Sequence, residues 1–448
     1  MDRGPEMVHP FPGHVTGKFP MMVRGEGTYV WDDQGNRYLD GVGGIATVNV
    51  GYGRTEIAEA MAEQARKLPY CAPNLFRNEP ALELTARLRK LTPPGLNHVN
   101  FVSGGSEAVE VAIKLARQYQ VVRGKPGKYQ IISRWTSYHG ATLATLSASG
   151  HAGRREKFLP LLLDFPHIPP PYCFQCSYGL EYPACNLRCA WALEEAILAA
   201  GPGTVSAFIA EPVIGSTAGS AVPPDDYLPT VRTICDKYDV LLIADEVMTG
   251  FGRTGRNFAV EHWDVVPDIM TMAKAISGGY APLGATVASD RIAEAFEDAD
   301  SAFDHVFTYG GSPVSLAAGV VALQILQREK LVQRSDQCGE YFLRQAEKLK
   351  AHPMVGDVRG KGLMLGIEFV KDRETREPFA PELHVYDRVV KTALRNGLIV
   401  YPGHGAIDGY RGDHISLYPP LTVADDEIDE MVDILDQTIG EVEAGLPG

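Results

Sequence analysis

Two acids and a lysine stand where apolar runs stop, and their types and positions suit chemistry. Residues 240–244 are apolar and rich in branched side chains, the pattern of a strand buried on both faces of a parallel sheet, and the run ends on Asp245 and Glu246. A second run, 269–272, ends on Ala273 and Lys274 before small residues and glycine, so the lysine has no helix face to decorate. Open α/β sheets bind ligands beyond the carboxyl ends of their strands, where these side chains project. A third such place lies at 98–102, a strand pattern that runs through Ser103-Gly104-Gly105-Ser106 into helical spacing over 107–118. There the free amide N–H groups and the helix dipole face an anion.

Taken singly, these features have ordinary explanations: a solvated loop start, a surface charge, a tight turn. An amine, a carboxylate and an anion cradle in one chain suit a cofactor that needs all three. Pyridoxal phosphate is such a cofactor, since its aldehyde forms a Schiff base with a lysine and its pyridine nitrogen must stay protonated to withdraw electrons. A carboxylate beside that nitrogen favours the charged form. In this reading Asp245 keeps the ring an electron sink, while Lys274 carries it and then shuttles a proton between two carbons.

The wider pattern is carried by LDGVGGIATVNVGYG at 39–53, FVSGGSEAVEVAIKLAR at 101–117, YHGAT at 138–142, AEPV at 210–213, LLIADEVMTGFGRTG at 241–255, MAKAISGGYAPLGA at 272–285 and GDHISLYPPL at 412–421. In this order and spacing the chain resembles the class III, pyridoxal phosphate-dependent aminotransferases of fold type I, nearly end to end. The resemblance implies an α/β fold whose large domain carries a mainly parallel seven-stranded sheet, with a smaller α+β domain built from both chain ends. The boundaries expected are 1–60 for the arm and part of the small domain, 61–330 for the large domain and 331–448 for the rest of the small one. It further implies that Gly105 and Ser106 cradle the cofactor phosphate, that Tyr138 stacks on the ring, and that His139, Glu211 and Val247 surround it. Thr308 is expected to reach the phosphate of a neighbouring subunit, which makes the enzyme a homodimer with shared active sites, or a tetramer built from such dimers.

Substrate choice turns on carboxylate-reading residues. Ornithine-type members carry an arginine shortly before the Pro-Pro of the last motif, where this chain has Ser416, which disfavours that substrate class. Amine–pyruvate, taurine and β-alanine types place a mobile arginine just upstream of the Gly-Asp, and Arg411 in DGYRGDH is the residue offered here, although it stands a few positions later than in the amine–pyruvate pattern. A guanidinium reads a carboxylate in two parallel hydrogen bonds. Arg253 is an alternative anion contact. Several amine-accepting members have a tryptophan where this chain has Ala46, so a more open pocket is expected. The expected reaction is a ping-pong transfer of an amino group from a primary amine or ω-amino acid (β-alanine, taurine or 4-aminobutyrate-like) to pyruvate or a similar small 2-oxo acid. Aminomutases and decarboxylases of the same fold are the competing readings.

A formal charge of −14 over 448 residues argues against a nucleic-acid or anionic-membrane surface. No run approaches a membrane span, and residues 1–13 lack the apolar core of a signal peptide, so a cytoplasmic protein with reduced thiols is expected. Cys173, Cys176, Cys185 and Cys189 have spacings that admit zinc, but the loop between the pairs is short and apolar and the chemistry needs no metal, so no metal site is expected. Along the chain, 1–30 reads as an irregular arm and 27–42 as a hairpin. A helix from 56 has Ile57, Met61, Ala65 and Leu68 on one face, strands occupy 130–133 and 206–210, and one long helix starts near 315.

Overall fold

A computed structural model describes residues 20–446. The expectations placed on 1–19, including the absence of a signal peptide, lie outside the described residues. The central element is a seven-stranded sheet in the spatial order Leu96–Val102, Gly284–Ser289, Ile269–Met272, Leu241–Asp245, Val205–Ala210, Gln130–Arg134 and His167–Ile168. All pairings are parallel except those of Gly284–Ser289, which runs against both of its neighbours. The unbroken apolar runs follow from this layering. Ala207, Ile209, Leu241 and Ile243 pack with Val109, Ala112 and Ala116 of the helix Gly105–Val122 on one face. Phe208, Ala210 and Leu242 pack on the other with Leu193 and Ile197 of Arg188–Ala200 and Val231 and Ile234 of Tyr227–Tyr238. With both faces covered, each fully buried Leu or Ile contributes roughly 1.5–3 kcal/mol, and alternation with polar residues has no place.

Two smaller sheets stand beside it. Val355–Gly360, Leu365–Phe369, Asp413–Leu417 and Tyr401–Gly403 form an antiparallel sheet. The other combines Met22–Glu26, Tyr29–Asp32 and Arg37–Asp40 with Leu398–Ile399, so an N-terminal hairpin is completed by a strand from the far end of the chain. The hairpin turn is held by Asp32, whose carboxylate accepts from the Asn36 amide at 2.8 Å and the Tyr38 hydroxyl at 2.9 Å.

Three details differ from the sequence reading. Residues 22–26 are a strand, because Gly25 and Glu26 pair with Val30 and Tyr29 across a short turn. The helix Thr55–Lys67 buries Ile57 and Gln64 while Ala65 and Leu68 face solvent, since the Gln64 amide turns back to the Leu68 carbonyl and closes the helix end. The long helix after 315 is two helices, Pro313–Arg328 and Leu331–Ala346, broken where Lys330 takes a left-handed φ of 52°.

Arg253 is also corrected. It is fully buried and donates to the Leu363 and Pro419 carbonyls and to the Asn49 side chain, and burial lowers its pKa to about 9. It clamps three segments together and does not line the cavity described below.

Candidate active site

The strand ends converge as the parallel topology requires. Asp245 closes Leu241–Asp245, and Lys274 follows Ile269–Met272 after one residue. Asp245 is 4% exposed, and both of its oxygens are held: Oδ2 lies 2.7 Å from His139 Nδ1, and Oδ1 accepts from Thr271 Oγ1 and the Val247 amide, each at 3.1 Å. Because Oδ2 is an acceptor, Nδ1 carries a proton, and Nε2 is buried and without a hydrogen-bond partner among the described residues. Lys274 has φ +48°, a left-handed backbone that costs a non-glycine residue about 1–2 kcal/mol. Burial lowers its pKa to about 8, an effect that the Asp245 carboxylate opposes without cancelling. A neutral amine, the nucleophilic form, is therefore accessible near neutrality. In cofactor-free protein, acylation of Lys274 read by peptide mass is expected to rise about tenfold per pH unit and level off near pH 8; a plateau above pH 10 contradicts the lowered value.

Beside these two, Leu96–Val102 delivers Ser103, Gly104, Gly105 and Ser106 to the same edge. No side chain caps the helix that begins at Gly105, so its first amides are open to an anion. A Cβ on Gly105 would stand 2.9 Å from Val247 Cγ1, which explains the glycine there. Glu211, next after Val205–Ala210, is buried, and burial raises its pKa. The fully buried Arg134 donates to its main-chain carbonyl at 2.6 Å, whereas Glu211 Oε2 has no hydrogen-bond partner among the described residues.

These residues line one cavity of about 680 Å³, which contains Gly105, Ser106, Tyr138, His139, Glu211, Asp245, Val247 and Lys274. Thr308, Arg411, Ser416 and Ala46, also singled out from the sequence, do not line it. Thr308 is on an exposed loop. Arg411 is exposed and held locally by Asp408, with Nε 2.7 Å from Oδ2. Ser416 is buried within Asp413–Leu417, opposite Tyr401 in register, and it is Tyr401 that reaches the cavity. Ala46 is 1% exposed and points away, while Gly44, Ile45 and Thr47 form the wall.

That wall is strained. Gly43, Gly44, Ile45 and Ala46 have φ of 50°, 57°, 64° and 56°, a left-handed turn that suits the glycines and opposes a β-branched isoleucine. Asp40 imposes it: its carboxylate accepts from the Val42 and Gly44 amides at 3.0 Å each and from the Tyr52 hydroxyl at 2.6 Å. Strain of this kind persists where the surroundings over-determine it. Ile45→Gly is expected to leave the melting temperature unchanged or higher, because relief of about 1 kcal/mol of strain offsets the loss of a half-exposed side chain. The same variant should raise kcat/KM for bulky amines selectively. A clear loss of stability, or an equal effect on small and bulky amines, contradicts this account of the wall.

Residues 14–439 match the family described as aminotransferase class-III. The chain belongs to the class III aminotransferases. It is 38% identical over 435 residues to the putrescine–pyruvate aminotransferase of Pseudomonas aeruginosa, covering 94% of this chain and 91% of that one. It is 37% identical over 441 residues to the taurine–pyruvate aminotransferase of Bilophila wadsworthia, covering 97% and 95%. An amine transaminase from an uncultivated Pseudomonas species, solved with pyridoxal phosphate bound, superposes with a TM-score of 0.90 at 36% identity, covering 98% of this chain and 99% of that one. The protein is thus a pyridoxal phosphate-dependent transaminase.

In this class III aminotransferase the sequence left several wall residues unnoticed: Ile45, Thr47, Arg154, Met248 and Tyr401. Only the neighbourhood of Ala46 gave a signal, and it pointed one residue away. The seven cysteines are free thiols, and no group of three or more metal-binding side chains is assembled among the described residues. No helix among them is long and apolar enough to cross a membrane.

Proposed function

We propose that this transaminase moves an amino group from a primary amine or ω-amino acid to pyruvate or a similar small 2-oxo acid, with pyridoxal phosphate held between Lys274 and Asp245. The observation that carries the reading is the meeting of a lysine of lowered pKa, a fixed carboxylate and an uncapped helix start in one cavity. Two buried atoms without hydrogen-bond partners among the described residues, Glu211 Oε2, which has only a 3.7 Å ion pair with Arg134, and His139 Nε2, lie around it and add to the fit with a polar ring. When bound, the cofactor supplies an electron-withdrawing ring that accepts the electron pair of the broken C–H bond.

The chain's own residues do the rest. Asp245, kept in place by His139, Thr271 and the Val247 amide, holds a proton at the ring nitrogen. Lys274 Nζ moves a proton between the two carbons that exchange it. The amides of Gly105 and Ser106 bind phosphate, with Thr308 of a neighbouring subunit as a further contact. Tyr138, Val247 and Glu211, which line the cavity with Asp245 and Lys274, would hold the ring. Ile45, Met248 and Tyr401 limit water. The names of the two curated relatives pair putrescine and taurine with pyruvate, which supports a terminal-amine donor and a small acceptor. A homodimer is part of the proposal: Tyr70, Leu75, Phe76, Val306 and Tyr309 are exposed, with Tyr70 and Tyr309 in edge contact at 6.2 Å.

The test is an absorbance scan of the holoenzyme as amines, β-alanine, taurine, ornithine and 4-aminobutyrate are added in turn without an oxo acid. Bleaching of the visible band by a terminal amine and its return with pyruvate is expected. A band that none of these donors bleaches would move the reading to an aminomutase or a decarboxylase.

A further inference from the structure

The cavity contains one arginine that the reaction as described does not use. Arg154 lies on the short helix Ala152–Arg155, half-buried, with its guanidinium carbon 4.9 Å from the centre of the Tyr138 ring. Among the described residues no carboxylate pairs with it, whereas Nη1 of its neighbour Arg155 is taken up by the Leu146, Ser147 and Ser149 carbonyls and by His167. A guanidinium in a partly enclosed site gains little from an aromatic face, about 0.5–2 kcal/mol, and retains all its hydrogen-bond donors for a planar anion. Arg411 has the opposite character: a carboxylate three residues away already occupies it, outside the cavity.

We propose that Arg154 reads the carboxylate of the acidic substrate, and that it is this subunit's sole carboxylate reader, so that the acceptor is a monocarboxylic 2-oxo acid. This deepens the transaminase reading and rests on it. Tyr138 gives the guanidinium a resting place, so an uncharged amine donor meets a stacked arginine and no naked charge. A dicarboxylic acceptor would find no second cation except Lys274 among the described lining residues. The same carboxylate chemistry could come from the 2-oxo acid or from an ω-amino acid donor, and the arms of the test separate the two.

Holoenzyme carrying Arg154→Gln or Arg411→Gln is compared with the unmodified protein in each half-reaction. Pyruvate is set against propanal, a three-carbon carbonyl compound without a carboxylate, and β-alanine against propylamine. Loss of a charge-assisted, two-bond contact predicts a roughly 30- to 100-fold fall in kcat/KM for pyruvate in Arg154→Gln, with propanal changed less than about threefold. If β-alanine falls as well while propylamine does not, both acidic substrates use the residue; if only β-alanine falls, the reader serves the donor and the acceptor claim is overturned. Equal losses for pyruvate and propanal would make Arg154 a support for Tyr138 and overturn the proposal, as would a loss confined to Arg411→Gln.

Calorimetric titration with propanoate, which cannot react, supplies a readout without turnover. Binding should weaken at least about 30-fold in Arg154→Gln and partly recover in Arg154→Lys, which keeps the charge but not the planar fork. Propanoate binding that depends on Arg154 in a protein that no amine bleaches would sink the transaminase substrates and keep the anion site. Propanoate binding indifferent to Arg154 in an active transaminase would sink the anion site alone.

Discussion

Lys274→Ala is expected to lower turnover about a millionfold, the order seen when the group that both bonds covalently and moves the proton is removed. No neighbouring side chain can substitute, because the other cation lining the cavity among the described residues, Arg154, cannot be deprotonated. The fold should survive. Lys274 is a burden to the cofactor-free protein in two respects: a left-handed φ of 48° and an amine whose burial lowers its pKa to about 8. The sign of the pH effect follows from the second. A base with a folded pKa below its ordinary value binds its proton more weakly in the folded state, so the penalty is full below about pH 8 and fades as pH rises towards 10.5. Cofactor-free Lys274→Ala should therefore melt at or above the unmodified protein at pH 7, with the gap closing at high pH. Melting well below it at pH 7 contradicts this view of the lysine.

Asp245→Asn should cost about a thousandfold or more in turnover while leaving Lys274 able to carry the cofactor. The isosteric amide can keep one oxygen for the Thr271 hydroxyl and the Val247 amide. Its NH2 then faces His139 Nδ1, which has to become the acceptor and shift its proton to Nε2. Position and shape are thus nearly conserved and the negative charge is lost, so the loss reports the charge that holds a proton at the ring nitrogen. The expected pattern is a large fall in kcat, little change in cofactor content and a change in the pH dependence of the cofactor's absorbance. A variant with normal kcat would remove Asp245 from the mechanism.

The parts of this site that could be read from sequence are those fixed by regular structure. A strand buried on both faces must be apolar throughout, so the first polar residue after it marks the sheet's edge; this is how Asp245, Lys274 and Glu211 stand out, and the residues around Gly105 follow from a strand turning into a helix. Five strands of the sheet were legible as apolar runs, whereas the reversed strand Gly284–Ser289 and the two-residue His167–Ile168 were not read, and the count of seven came from the family resemblance. What was hidden depends on conformation or on distant partners. Four left-handed residues rotate Ile45 into the cavity and Ala46 out of it, a reversal that residue types do not show. Arg411 was chosen for its nearness to a motif, whereas its side chain pairs with Asp408 three residues away and lies outside the cavity. Arg154 sits in GHAGRREKF beside a second arginine, and only tertiary structure separates the buried one from the one in the cavity. Residues 22–26 looked irregular because no apolar alternation marks a short, exposed edge strand.

The most direct test of the central claim is to reduce the holoenzyme with borohydride, which fixes a lysine–cofactor linkage, and to map the modified peptide by mass spectrometry. The account predicts one cofactor adduct per chain, on Lys274, absent from Lys274→Ala. An adduct on any other lysine, or none in a protein that still transfers amino groups, would contradict it.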